Sequence, residues 1–65
     1  MKIILNGEPR DVTASRLSDL MEELGFAGAK VATAVNEDFV PAGARAQTKL
    51  AEGDRLEVLA PMQGG

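Results

Sequence analysis

The residues of this 65-residue sequence that could do chemistry are few, and the most distinctive of them stand last, in Pro61-Met62-Gln63-Gly64-Gly65. Read as a chain end, Gly65 carries an α-carboxylate, ionised at neutral pH because its ordinary pKa is about 3.3–3.7. A resting carboxylate is a poor electrophile. It gains chemistry only when a partner activates it, for example as an acyl-adenylate. Glycine has no Cβ and accepts φ of either sign, so Gly64 and Gly65 can pass a narrow channel and take whatever backbone the channel imposes. Fully extended, residues 62–65 reach roughly 13–14 Å at about 3.3–3.6 Å per residue. That is enough to carry the carboxylate into another protein's active site while the folded part stays outside. On this reading Gly65 is the reacting residue, and Met62, Gln63 and Gly64 are the arm that threads the channel. The competing reading is an inert, frayed terminus.

Nothing else in the sequence assembles into a catalytic group. There is no histidine and no cysteine, which removes the usual general base near neutral pH, the commonest metal ligands and any thiol chemistry. The hydroxyls of Thr13, Ser15, Ser18, Thr33 and Thr48 therefore have no familiar base to activate them, and Ser15 reads better as a helix cap. Asp19, Glu22 and Glu23 fall at i, i+3 and i+4, but with nothing apolar around them they read as a solvated helix face. Asn36-Glu37-Asp38 lacks the alternating oxygen ligands of a calcium loop. Gly25 and Gly28 follow a helix, whereas a phosphate loop precedes one. The expectation is a protein without catalytic residues, metal or bound cofactor of its own.

Composition narrows the partners. The net charge is −3, with seven basic residues dispersed along the chain and only two aromatics, a poor match to nucleic acid. No segment approaches the ~18 consecutive apolar residues of a membrane span, and the start has no apolar stretch long enough for a secretion signal. The expectation is a soluble cytoplasmic protein whose acidic surface suits a basic partner.

The elements that must position the tail follow from local patterns. Lys2 to Leu5 is a β run, and Asn6-Gly7 supplies the two positive-φ positions of a tight hairpin turn. The return strand is poorer, with Pro9 early and Val12 as its apolar residue. In Ser15-Arg16-Leu17-Ser18-Asp19-Leu20-Met21-Glu22-Glu23-Leu24-Gly25, the residues Leu17, Leu20, Met21 and Leu24 form one apolar stripe at helical spacing. Ser15 is the expected N-cap and Gly25 the residue just past the C-terminus. At roughly nine residues this helix is shorter than the ~12–15 that hold together alone in water, so it must dock on a sheet. A second β run, Val31 to Val35, turns through Asn36 to Asp38 and continues through Phe39 and Val40. Pro41 to Thr48 has no period and reads as a surface connection with a turn of helix through its alanines. Gly53-Asp54 turns the chain into a last strand, Arg55 to Ala60, in which Leu56 and Val58 alternate with Arg55 and Glu57.

An aliphatic helix across one face of a small mixed sheet buries both stripes most simply. The helix-bearing crossover then lets the first and last strands pair in parallel. This is an α+β, β-grasp arrangement, with residues 1–61 as the domain and 62–65 as a flexible tail. Its expected core is Ile3, Leu5, Val12, Leu17, Leu20, Met21, Leu24, Val31, Val35, Val40, Leu50, Leu56 and Val58. Ala32 and Ala34, if they face outward, make a small apolar docking patch; the alternative is tight packing inside the fold.

A β-grasp domain of this size, with Ala34-Val35-Asn36-Glu37-Asp38-Phe39-Val40-Pro41 after the helix, Leu50 to Leu59 with its Gly53-Asp54 turn, and a Gln63-Gly64-Gly65 end, resembles the ThiS-like sulfur carriers of thiamine (thiazole) biosynthesis, a branch of the ubiquitin-like proteins. The resemblance spans essentially the whole chain. It implies that an adenylating (ThiF-like) enzyme uses ATP and Mg²⁺ to activate the Gly65 carboxylate. A sulfur donor protein then converts the acyl-adenylate to a thiocarboxylate, and a thiazole synthase (ThiG-like) takes the sulfur. ATP and Mg²⁺ belong to the partner. The chain departs from the family in the Pro41–Thr48 loop, where an arginine and an aromatic common in relatives are replaced by Ala42 and Arg45. The alternatives from this resemblance are the same chemistry for molybdopterin or another sulfur-containing product, and a ubiquitin-like modifier joined to lysines. A plain interaction module with an inert tail is the reading of a different class.

Overall fold

The computed structural model describes residues 1–60, so the expected boundary between residues 61 and 62 lies outside the described residues. Asn6 and Gly7, at φ of 48° and 87°, turn strand β1 (Lys2–Leu5) into its antiparallel partner β2 (Glu8–Asp11). All four β2 residues are exposed, and Pro9 sits on this edge strand, where a missing N–H costs no ladder bond. Val12 lies one residue beyond β2 rather than within it. It is nonetheless buried, with its N–H donating to the Met1 carbonyl at 2.8 Å.

Helix α1 (Leu17–Glu23) presents Leu17, Leu20 and Met21 to the core. Its C-terminus closes as expected. Gly25 takes φ of 88°, its N–H donates to the Glu22 carbonyl at 3.1 Å, and the Phe26 N–H reaches the Met21 carbonyl at 2.8 Å. This is the paired arrangement of a Schellman end, and Phe26 packs against the core beside it. The N-terminus corrects the sequence reading: Arg16, not Ser15, occupies the cap position, and no side chain caps the helix. The backbone of the 48–50 segment does so instead. The Leu17 N–H donates to the Thr48 carbonyl at 2.9 Å, and the Leu50 N–H to the Ser15 carbonyl at 2.7 Å. A distant strand-like segment thus satisfies a helix donor that a hydroxyl would otherwise accept.

Strands β3 (Ala32–Val35) and β4 (Asp38–Val40) form the second hairpin, a 3-10 helix η1 (Ala42–Gln47) follows, and β5 (Arg55–Leu59) completes the sheet. The strand order is β2-β1-β5-β3-β4. β5 pairs parallel with β1, Ile4 opposite Arg55 and Leu5 opposite Leu56, and antiparallel with β3. The expected α+β β-grasp, a mixed sheet with one helix on one face, is the fold observed. The loop from Pro41 to Thr48 is more regular than expected, with 3-10 structure throughout Ala42–Gln47.

Ile3, Leu17, Leu20 and Leu56 are fully buried, with Leu5, Val12, Met21, Val40, Leu50 and Val58 nearly so. Each such side chain contributes about 1.5–3 kcal/mol by leaving water. Leu24, Val31 and Val35, expected in the core, are only partly buried and pack against it, together with Phe26, Ala14 and Ala44. Thr33 is the unexpected member, a buried polar residue whose hydroxyl donates to the Val40 carbonyl at 2.7 Å. No helix among the described residues is long and apolar enough to cross a membrane.

Candidate functional site

Met62, Gln63, Gly64 and Gly65, the residues expected to react and to thread a channel, lie outside the described residues. What the structure gives is the element that carries them. β5 is the middle strand of five, and it continues through Leu59 beyond its last pair with β1, Leu56 with Leu5. Two asparagines, both in left-handed backbone at φ of 48° and 50°, grip this strand from opposite sides. From the β3 side, the Asn36 backbone N–H donates to the Arg55 carbonyl at 2.8 Å. The Asn36 Oδ1 accepts from the Arg55 N–H at 3.0 Å, and its Nδ2 donates to Asp54 Oδ1 at 3.0 Å. From the β1 side, Asn6 Nδ2 donates to the Val58 carbonyl at 3.2 Å while Asn6 Oδ1 accepts from the Val58 N–H at 2.9 Å. The two motifs singled out in the sequence as turns thus also hold the tail-bearing strand.

On the sheet face away from the helix, register sets which residues meet. Ala32 stands opposite Leu59, and Ala34 lies between Phe39 on one side and Glu57 on the other. Ala32 is exposed and Ala34 half-buried, so both face outward as a docking patch requires. The larger part of the patch was missed in the sequence: Phe39 is 68% and Leu59 62% exposed. The signal was there. With Leu56 and Val58 pointing inward, period-two alternation sends Leu59 outward beside Glu57, and Val40 inward sends Phe39 the same way. Beside this face, Lys30, Val31, Ala32, Phe39, Ala42 and Arg45 line an open groove of about 320 Å³.

Arg45 has a local task. Its Nε donates to Thr33 Oγ1 at 3.1 Å and its Nη2 to the Val31 carbonyl at 2.7 Å. It thereby ties η1 to β3 behind the patch. Glu23 departs from the solvated-face reading. It is exposed, yet its carboxylate accepts the Thr13 N–H at 3.0 and 3.2 Å, the Thr13 hydroxyl at 2.9 Å and the Ala14 N–H at 2.9 Å. Those donors, the Thr13 backbone first and the Ala14 backbone next, hold its carboxyl below the usual carboxylate range. That shift favours a fixed anion and pins the loop ahead of α1; it does not make an acid catalyst.

Known proteins resemble the chain over its whole length. A family model described as the ThiS family matches residues 3–65. The sulfur carrier protein ThiS of Thermus thermophilus is 39% identical over 61 residues, 94% of this chain and 95% of that protein. A thiazole synthase of Paramagnetospirillum magneticum is 41% identical over 66 residues, 100% of this chain, and one of Magnetococcus marinus is 42% identical over the same span; this chain covers only 20% of each. The crystal structure of a thiamine biosynthesis protein (ThiS) from Geobacter metallireducens superposes with a TM-score of 0.85 at 29% identity, 100% of both chains being covered.

Proposed function

This chain belongs to the ThiS family, the small sulfur carriers of thiamine biosynthesis, and from that premise we propose that Gly65 is the residue that carries the sulfur. The single observation that carries the proposal is the family match through residue 65, which takes in Gly64 and Gly65. An adenylating (ThiF-like) enzyme attacks the α-phosphorus of ATP with the Gly65 carboxylate, releasing pyrophosphate and leaving a mixed acyl-phosphate anhydride. Sulfur from a donor protein, at the sulfide level, then displaces AMP from the acyl carbon and leaves a thiocarboxylate. ATP and Mg²⁺ are bound by the partner. This chain contributes the carboxylate, the Met62-Gln63-Gly64 arm and a surface by which the enzyme recognises it. That surface is the outward sheet face of Ala32, Ala34, Phe39 and Leu59, whose exposed apolar area favours a protein partner. The recipient is a thiazole synthase. Two relatives of that name contain a stretch similar to this entire chain within one-fifth of their length, which supports a carrier and its consumer working as a pair.

The test is an intact mass, taken on the protein from its own host and again after incubation with ATP, the adenylating enzyme and a sulfur source. The expected result is the gain of one sulfur for one oxygen, placed at Gly65 by fragmentation. Branched peptides joining Gly65 to lysines would instead establish a protein modifier. An unchanged mass under both conditions would discard the carrier reading.

A further inference from the structure

β1 and β5 share a ladder for only two residue pairs, Ile4 with Arg55 and Leu5 with Leu56. Beyond them β1 turns away at Asn6-Gly7, while β5 runs on through Leu59 with β3 alone beside it, its last pair being Leu59 with Ala32. Residues alternate along β5 in the side to which their N–H and C=O point. The Asn6 N–H takes the Leu56 carbonyl at 2.9 Å, so the next groups facing that side belong to Val58. Val58 is 6% exposed, and its backbone N–H and C=O would face the departed strand without partners, which is costly in so enclosed a place. The Asn6 carboxamide fills both at once, Nδ2 to the carbonyl at 3.2 Å and Oδ1 from the N–H at 2.9 Å. One edge of a primary amide presents an N–H donor and a C=O acceptor side by side, as the N–H and C=O of a single strand residue do along the edge of that strand. Asn6 therefore acts as one more rung of β1 on the strand that leads to the tail.

We infer that Asn6 is a positioning residue for delivery of the Gly65 carboxylate: its clamp on Val58 fixes where the chain leaves the sheet and so sets the length and direction of the arm. This rests on the carrier reading. Without the clamp, β5 beyond Leu56 is held from one side only, by β3, and fraying back to Val58 moves the point from which the arm starts. Of the docking face only Leu59 lies on the loosened segment, while Ala32, Ala34 and Phe39 keep their places on β3 and β4, so the enzyme still binds the domain, but the carboxylate reaches the nucleotide less often in a reactive pose.

The experiment uses the full chain with Asn6→Gly, which keeps the positive φ and removes the carboxamide. Asn6→Asp serves as a second variant that keeps the acceptor and replaces the donor by an oxygen facing the Val58 carbonyl. Val12→Ala, a core variant remote from the clamp, is the control for lost stability. Native-state amide exchange is read at Val58, and ATP–pyrophosphate exchange by the adenylating enzyme gives kcat and KM for the carrier. In Asn6→Gly the Val58 amide is expected to exchange about tenfold faster, and in Asn6→Asp, which keeps its acceptor, by a smaller factor. The fall in kcat/KM is expected to be about tenfold and to lie in kcat. Unchanged Val58 exchange, a kcat within about twofold of the parent, or a fall equalled by Val12→Ala would overturn the inference and leave the carrier reading standing. A parent chain that is never adenylated would overturn both.

Discussion

Glu23 and Phe39 mark what single side chains do here beyond filling space. Glu23 sits on α1 but accepts the donors of Thr13 and Ala14, so its charge is worth more folded than unfolded. Its native pKa is lowered, and the sign follows: the stabilisation is present above the unfolded glutamate pKa and is lost as pH falls through the lower native one. Glu23→Gln is therefore expected to melt below the parent at neutral pH, with the gap closing on acidification below the ordinary glutamate range, measured as Tm against pH. A gap that stays constant on acidification would mean the hydrogen bonds matter and the charge does not. Phe39 is the opposite case, a large apolar ring left 68% exposed. Phe39→Ser is expected to shift folding stability by no more than about 0.5 kcal/mol, while raising the KM of the adenylating enzyme about tenfold. An unchanged KM would move the docking surface elsewhere. Phe39 and Leu59 were legible in the sequence through strand alternation. Glu23 and Arg45 were not, because their partners, Thr13 and Ala14 for one and Val31 and Thr33 for the other, are fixed only by how the loop and η1 come to rest on neighbouring elements.

At the scale of elements the two hairpins make a natural comparison. Both turn on two residues of positive φ: Asn6 and Gly7 in the first, Asn36 and Glu37 at 50° and 75° in the second. Turns of this kind suit the twist of the strands they join and favour Asn-Gly. The second hairpin forces a side-chain-bearing residue into left-handed backbone, which costs about 1–2 kcal/mol. Glycine recovers that at an entropic cost of about 0.5–1 kcal/mol in the unfolded chain. Glu37→Gly is thus expected to stabilise the domain by about 0.5–1 kcal/mol in urea unfolding, and Gly7→Ala to destabilise it by about 1–2 kcal/mol. A neutral or harmful Glu37→Gly would show that the glutamate side chain makes up for its backbone. The first hairpin, the helix stripe and the parallel meeting of β1 with β5 could all be read from the sequence, since turn chemistry and periodicity are local signals. The helix start could not. Ser15 has the right chemistry for a cap, but Leu17 is satisfied by Thr48, a partner whose proximity exists only after the last third of the chain has folded back.

For the molecule as a whole, stability and the proposed chemistry occupy separate parts of the chain. The buried apolar set runs from Ile3 to Val58, and the residue proposed to react is Gly65. A 65-residue domain has only about 3–10 kcal/mol of stability to lose. Leu20→Ala, at a side chain of 0% exposure, removes about 2–5 kcal/mol and is expected to leave a partly unfolded protein with its tail chemically intact. Removing Gly64 and Gly65 is expected to do the reverse, leaving the urea midpoint and slope of the parent while abolishing thiocarboxylate formation. The slope matters as much as the midpoint, because it reports the surface exposed on unfolding. A truncated chain with a lower midpoint would mean that the last glycines pack on their own domain. Carriage requires the carboxylate to leave that domain for another protein's active site, so such a loss of stability would count directly against the proposed chemistry. An unchanged midpoint together with lost thiolation would place the function in a segment that contributes nothing to holding the fold together.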